Sequence, residues 1–212
     1  MVILKEQQTA MRLLIFLLLF APFTSQAQEG LKIGLEVAPS WVLNTHRNLS
    51  TGVRSSESGY GFNVGIPLKY GFSETTSFNS GITYEYIAFD NRVNNTLISS
   101  NRFGAINVPL ILGYQLSSNW NFNGGVGFKY VFLSRAWSGF AVDITNAVNQ
   151  IQPYVNLGVS TQSQWSSTTV EYGLNARFHP INIWESSAAQ SANNTSKIVA
   201  FDLNLKFYLF DL

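Results

Sequence analysis

The fold class that this sequence predicts is all-β: an eight-stranded, antiparallel, up-and-down β-barrel. Three observations predict it. Apolar and polar residues alternate with period two through eight separate segments, the mark of strands with two unlike faces. The connections between segments alternate between tight and long. Charged residues collect on one face of the strands while aromatic residues crowd the other.

The segments run at about 31–43, 59–70, 75–89, 101–115, 119–134, 151–163, 167–178 and 198–210. In the first, Lys32 and Glu36 occupy the polar face. The second sets Tyr60, Phe62, Val64, Ile66, Leu68 and Tyr70 against Gly61, Asn63, Gly65, Pro67 and Lys69. The third sets Phe78, Ile82, Tyr84 and Tyr86 against Asn79, Thr83 and Glu85. The fourth contains Ile106-Asn107-Val108-Pro109-Leu110, an echo of Val64-Gly65-Ile66-Pro67-Leu68 that marks a loose hairpin repeat. The fifth opposes Trp120, Phe122, Val126, Phe128, Tyr130 and Phe132 to Asn121, Asn123, Gly125, Gly127 and Lys129. The seventh places Glu171 and Arg177 on the polar face, and the eighth alternates Phe201, Leu203, Leu205, Phe207 and Leu209 with Asp202, Asn204, Lys206 and Tyr208. Long connections are expected at about 44–58, 90–100, 135–150 and 179–197, with tight turns at 71–74, 116–118 and 164–166. One end of the sheet is thus trimmed and the other decorated. Closure into a barrel is the arrangement that removes both sheet edges.

The direction of the apolar face decides what surrounds the barrel. A soluble barrel would turn it inward, with the charges outside as a solvated coat. Eight strands enclose room for little more than small side chains or one small ligand. The many Phe, Tyr and Trp therefore fit only outside, against lipid, the inside-out pattern of a transmembrane barrel. Aromatics near strand ends (Trp41, Tyr60, Phe72, Phe89, Phe103, Tyr114, Trp120, Phe132, Trp165 and Phe178) are placed as interfacial girdles. The polar face then lines the lumen with Lys32, Glu36, Lys69, Glu85, Lys129, Glu171, Arg177, Asp202 and Lys206, whose opposite charges nearly cancel. The reading is a plug of ion pairs and polar hydrogen bonds; an ion or proton path is the alternative. Glu85 is expected to pair with Lys129 or Lys69.

Composition narrows the function classes. With 46% hydrophobic and 12% charged residues the chain is no disordered tail. A net charge of +1 is no footprint for nucleic acid. Zero Cys removes disulfides, thiolate metal sites and thiol catalysis. The first 27 residues read as a signal peptide: Lys5 and Arg12, then the apolar LLIFLLLF, then Ser25-Gln26-Ala27, with Met11 an alternative start. Export, residence in a cell outer membrane and both barrel termini in the periplasm follow as expectations. No cofactor or metal is expected, and outer-membrane lipid is the first partner.

Enzymatic chemistry has little to stand on. His46 and His179 are the two candidate general bases. His179 lies in Arg177-Phe178-His179-Pro180-Ile181-Asn182 and is similar to the lipid A deacylase pattern in having Asn three residues after His. Ile181 stands where that pattern has its Ser nucleophile, so the triad logic fails there. A non-enzyme is expected, with a deacylase-like hydrolase around His179 and a small channel as alternatives. The sequons at Asn48, Asn95 and Asn194 read as Asn/Ser-rich loop composition.

The long loops carry the remaining candidates. Trp137, Phe140, Ala141, Ile144, Ala147, Val148 and Ile151 recur at helical spacing, which predicts a short amphipathic helix within 136–150 that packs over the barrel mouth or rests at the lipid interface, with partner docking the alternative. Trp137, Phe140, Ile144 and Trp184 form a candidate interaction surface, and His46, Arg47 and Arg54 make the first loop mildly basic.

The phrases NVGIPLKYGF and INVPLILGYQL, each an apolar residue before Pro-Leu and an aromatic before a short turn, resemble the small outer-membrane β-barrel family of Bacteroidota, the PorT-like group. The terminal strand KIVAFDLNLKFYLFDL is similar to the signal read by the barrel-assembly machinery, although it ends in Leu212 rather than an aromatic. The resemblance covers residues 28–212 and implies outer-membrane residence, an interaction with that machinery during biogenesis, and a structural or envelope-assembly role with a protein partner rather than one set activity.

Overall fold

A computed structural model describes residues 29–48, 52, 54–93, 96–117, 119–137, 140–183 and 194–212. The expected signal peptide and Trp184 lie outside the described residues. The strands are β1 (Glu29–Asn48), β2 (Arg54–Gly71), β3 (Thr76–Val93), β4 (Thr96–Gln115), β5 (Trp120–Trp137), β6 (Ala141–Asp143), β7 (Ile151–Trp165), β8 (Thr168–His179) and β9 (Asn194–Asp211). Every pairing is antiparallel between chain neighbours, except that β5 also pairs with β7 past the three-residue β6, and β1 pairs with β9. The β1–β9 ladder closes an eight-stranded up-and-down barrel, with β6 a flap on the loop end of β5.

Two local devices let the wall close. Pro67 in β2 has no N–H to give the ladder, and its register partner is Gly81, whose φ of +141° a side chain would oppose. At Gly127 a Cβ would fall 2.3 Å from the ring of Tyr154, its register partner. The glycine leaves the space that the inward Tyr154 ring fills.

Outside, Leu35, Val37, Phe62, Val64, Ile82, Leu110, Leu112, Phe122, Val126, Phe128, Leu157, Leu203 and Leu205 stay exposed in a band around the barrel. Inside, Asn63, Lys69, Glu85, Asn107, Lys129, Asn156, Glu171, Arg177 and Asp202 are buried. The polarity of a soluble protein is inverted. Among the described residues no helix is long and apolar enough to cross a membrane, and the strands carry the apolar surface instead.

Three boundaries depart from expectation. The ladders continue well into the stretches assigned to loops at 44–58, 90–100 and 179–197: β1 and β2 pair out to Arg47↔Arg54, β3 and β4 to Val93↔Thr96, and β9 begins at Asn194. Backbone pairing needs no hydropathy contrast, so it runs on where both faces turn polar and the alternation disappears. The helix expected within 136–150 is absent. Strand β6 pairs Ala141 with Trp137 and Val142 with Ala136, leaving a single 3-10 turn at Thr145–Ala147. Phe89 and Phe103, assigned to girdles, are 1% and 6% exposed and face inward at the loop end.

Candidate functional site

The lumen contains two layers of charge and a stopper. The central layer draws on all eight barrel strands. Arg177 on β8 donates from Nε to Asp202 Oδ2 at 2.6 Å and from Nη2 to Asp202 Oδ1 at 2.9 Å. Its Nη2 also lies 2.5 Å from Glu85 Oε1, and Lys129 Nζ lies 2.9 Å from Glu85 Oε2. Around this chain, Ser40 Oγ donates to Asp202 Oδ1 at 2.5 Å and Asn63 Nδ2 donates to Ser40 Oγ at 3.1 Å. Asn107 Nδ2 in turn donates to Asn63 Oδ1 at 3.4 Å. The Arg177 guanidinium lies 5.7 Å from the centre of the Tyr154 ring, on β7.

A second layer lies toward the tight turns. Glu171 accepts from Lys69 Nζ at 3.1 Å and faces Lys206 Nζ at 3.5 Å. Glu36 is the register partner of Lys206, and Lys32 sits 4.0 Å from Asp211 at the open turn end. All nine charges read from the sequence therefore occupy the inward face. Glu85 takes Lys129 and Arg177, while Lys69 goes to Glu171, because strand stagger sets the partners. Beside the central layer a cavity of about 50 Å³, lined by Glu36, Asn63, Thr83, Asn107 and Asp202 among others, holds a few waters at most.

Toward the loops the inward face changes character. Val42, Ile87, Phe89, Phe103, Ala105, Val131, Ile198 and Ala200 pack with Val148 and Ile183 into one buried apolar cluster. Val148 and Ile183 come from the two loops and are 0% and 1% exposed. Their backbone is tied down. Asn149 N–H donates to Ile183 O at 2.8 Å, Ile183 N–H to Ser196 O at 3.1 Å, and Asn149 Nδ2 to Asn182 O at 2.6 Å. Below this stopper sits His179, 1% exposed, its ring 5.3 Å from that of Tyr154 and neither ring nitrogen hydrogen-bonded.

Three of the four residues of the expected loop surface are described, and Trp184 lies outside the described residues. Phe140 is 71% exposed and Trp137 is half-exposed on the β5–β6 hairpin, whereas Ile144 is half-buried. Val148 meets the expectation that part of 136–150 packs over the barrel mouth, whereas the strand residues of the stopper carry no such signal, because their inward positions look apolar like the outer face. Among the described residues no three His, Asp or Glu gather as a metal site.

No family model and no curated protein matches this chain. Solved structures do. Neisserial surface protein A is similar at 13% identity and a TM-score of 0.49, over 82% of this chain and 97% of that one. The outer-membrane protein AlkL gives 13% identity and a TM-score of 0.49 over 89% and 93%. Ail, the attachment invasion locus protein of Yersinia pestis, gives 10% and 0.43 over 85% and 99%. Identities this low concern the fold alone.

Proposed function

We propose that this chain is an integral, non-catalytic barrel of the bacterial outer membrane that works through its loop end and not through its lumen. The observation that carries the reading is the double seal, with a buried ion-pair layer directly beneath an apolar stopper built from both long loops. The inverted polarity supports membrane residence, since eight strands with a lipid-compatible exterior and a self-paired interior meet what a bilayer demands. In this reading residues 1–27 direct export, both termini face the periplasm, the terminal strand is read by the barrel-assembly machinery, and the exposed hairpins serve structural or partner contacts in an envelope assembly. The two Pro-Leu phrases are what supports the PorT-like, Bacteroidota placement.

The burial of His179 inside the barrel, against Tyr154, supports the non-catalytic part, because a lipid substrate approaches from outside the wall. The test is reconstitution in planar bilayers of protein shown to be folded by faster gel migration before boiling. Folded protein should give no steady conductance, and a stable open level would overturn the reading. Unchanged lipid A mass spectra after gene deletion are expected; a lost or gained acyl chain would restore the deacylase alternative.

A further inference from the structure

The outer face of β4 and β5 changes abruptly above the apolar band. Ile106 on β4 and Phe132 on β5 still belong to the band. A residue of bulge in β5 follows, between the pairs Ala105↔Val131 and Gly104↔Leu133; Gly104 and Leu133 still face outward, and the outward pair after them is Arg102 and Arg135. These two arginines are register partners. Directly opposed like charges destabilise a strand pair, and among the described residues neither arginine forms an ion pair within 4 Å. One pair of residues further out, Ser100 lies opposite Trp137. Ser100 is 2% exposed and its Oγ has no hydrogen-bond partner. Together Ser100, Arg102, Arg135, Ala136, Trp137 and Ala141 line a concavity of about 460 Å³.

Two cations and a buried unpaired hydroxyl around one hollow form an incomplete set of interactions. Asp143 on β6, the register partner of Arg135, offsets part of this charge through a longer-range attraction, but it makes no ion pair within 4 Å among the described residues, and its Oδ1 accepts from Thr145 N–H at 2.9 Å and from Thr145 Oγ1 at 2.7 Å. Asp90, the β3 register partner of Ser100, is engaged in an interaction of its own. What fits is an anion with several oxygens that spans two guanidinium groups and accepts from a hydroxyl. Phosphate does this, and paired arginines grip it in bidentate fashion. The position selects further. Arg135 lies two residues past the outward Leu133, roughly 7 Å along the strand from the edge of the apolar band, which is the depth of a headgroup whose chains lie on that band. Trp137 adds an amphipathic wall at the same level.

We propose that this hollow binds the phosphate of a phosphorylated lipid whose acyl chains lie against the β4–β5 exterior; the inference rests on the membrane reading above. The same register arrangement recurs at Arg47↔Arg54 on the β1–β2 hairpin, which supplies an internal control.

The test is native mass spectrometry of the full barrel released from detergent, titrated with dimyristoylphosphatidic acid, dimyristoylphosphatidylcholine and inorganic phosphate. The wild type should retain phosphatidic acid over phosphatidylcholine. Arg102→Gln with Arg135→Gln should weaken that retention at least about tenfold, the loss expected for charge-assisted contacts, while Arg47→Gln with Arg54→Gln leaves it unchanged. Equal losses from the two double variants would mean diffuse attraction and overturn the site. Displacement of the lipid by equimolar inorganic phosphate would overturn the lipid and leave a small-anion site. Faster gel migration before boiling checks that each variant is closed. Flotation with phosphatidylcholine vesicles tests the membrane reading separately, so a barrel that fails to float indicts that reading and not the arginines.

Discussion

The centre of the lumen and its loop end solve one problem with opposite chemistry. Both must fill a narrow barrel completely. The centre uses Glu85, Arg177, Asp202 and Lys129, each of which needs its partners in place. The loop end uses Phe89, Phe103, Ile183 and Val148, which need only shape and exclusion of water. The contrast predicts unequal sensitivity. A charge layer tolerates no single deletion, since the partner left behind is buried and uncompensated, whereas an apolar layer loses contacts in proportion to the volume removed.

Glu85→Gln is the strongest test of that contrast. It strands Lys129, whose ion pair among the described residues is with Glu85, while Arg177 keeps Asp202. Removing one member of a buried pair costs about 3–5 kcal/mol, read as a lower urea midpoint for unfolding from phospholipid vesicles. Adding Lys129→Met should recover much of the loss, and adding Lys69→Met should not, because Lys69 belongs to Glu171. Recovery with Lys69 in place of Lys129 would refute the register of the two charge layers.

Carried through the wall, the comparison becomes one of inside against outside. Leu205 faces out and Asn204 faces in at adjacent positions of β9. Leu205→Arg should cost about 2–4 kcal/mol in the same vesicle assay, the penalty for a cation on the lipid face near mid-depth, and Asn204→Ser should fall within about 1 kcal/mol. Equal effects would erase the assignment of the two faces.

How much of this was legible in the sequence follows from the same contrast. Where one face is polar and the other apolar, as from Phe201 to Leu209, period two shows the strand and its sidedness at once. At the loop end that signal fails in two ways. Phe89 and Phe103 are apolar and inward next to an outer face that is apolar lower down, so they read as girdle residues. In Ser55–Gly59 both faces are polar, and from Thr96 to Asn101 apolar and polar residues do not alternate, so paired strand reads as loop. The membership of the charged lumen was legible because it depends only on alternation. Its pairing was not, since the choice of Lys129 over Lys69 depends on stagger between strands. The facing of Arg102 and Arg135 depends in addition on the β5 bulge, which no local pattern announces.

The smallest expected effect concerns the stopper itself. Ile183 reaches the lumen from a loop, and its backbone is held by Ser196 O and by Asn149 N–H. Ile183→Ala removes buried volume while leaving those hydrogen bonds. Truncations of this kind cost about 2–5 kcal/mol, and the figure is lowest where the surroundings can collapse. A loop residue at a barrel mouth has that freedom and the strand residue Phe103 does not, so Ile183→Ala should cost about 2 kcal/mol and Phe103→Ala more. Neither should open the barrel. The Arg177–Glu85–Lys129 layer lies beneath and is independent of the loops, so planar-bilayer recordings of Ile183→Ala should remain closed. A conducting Ile183→Ala barrel would mean that the apolar layer alone makes the seal, and the charge layer would then have to be read as wet and permeable.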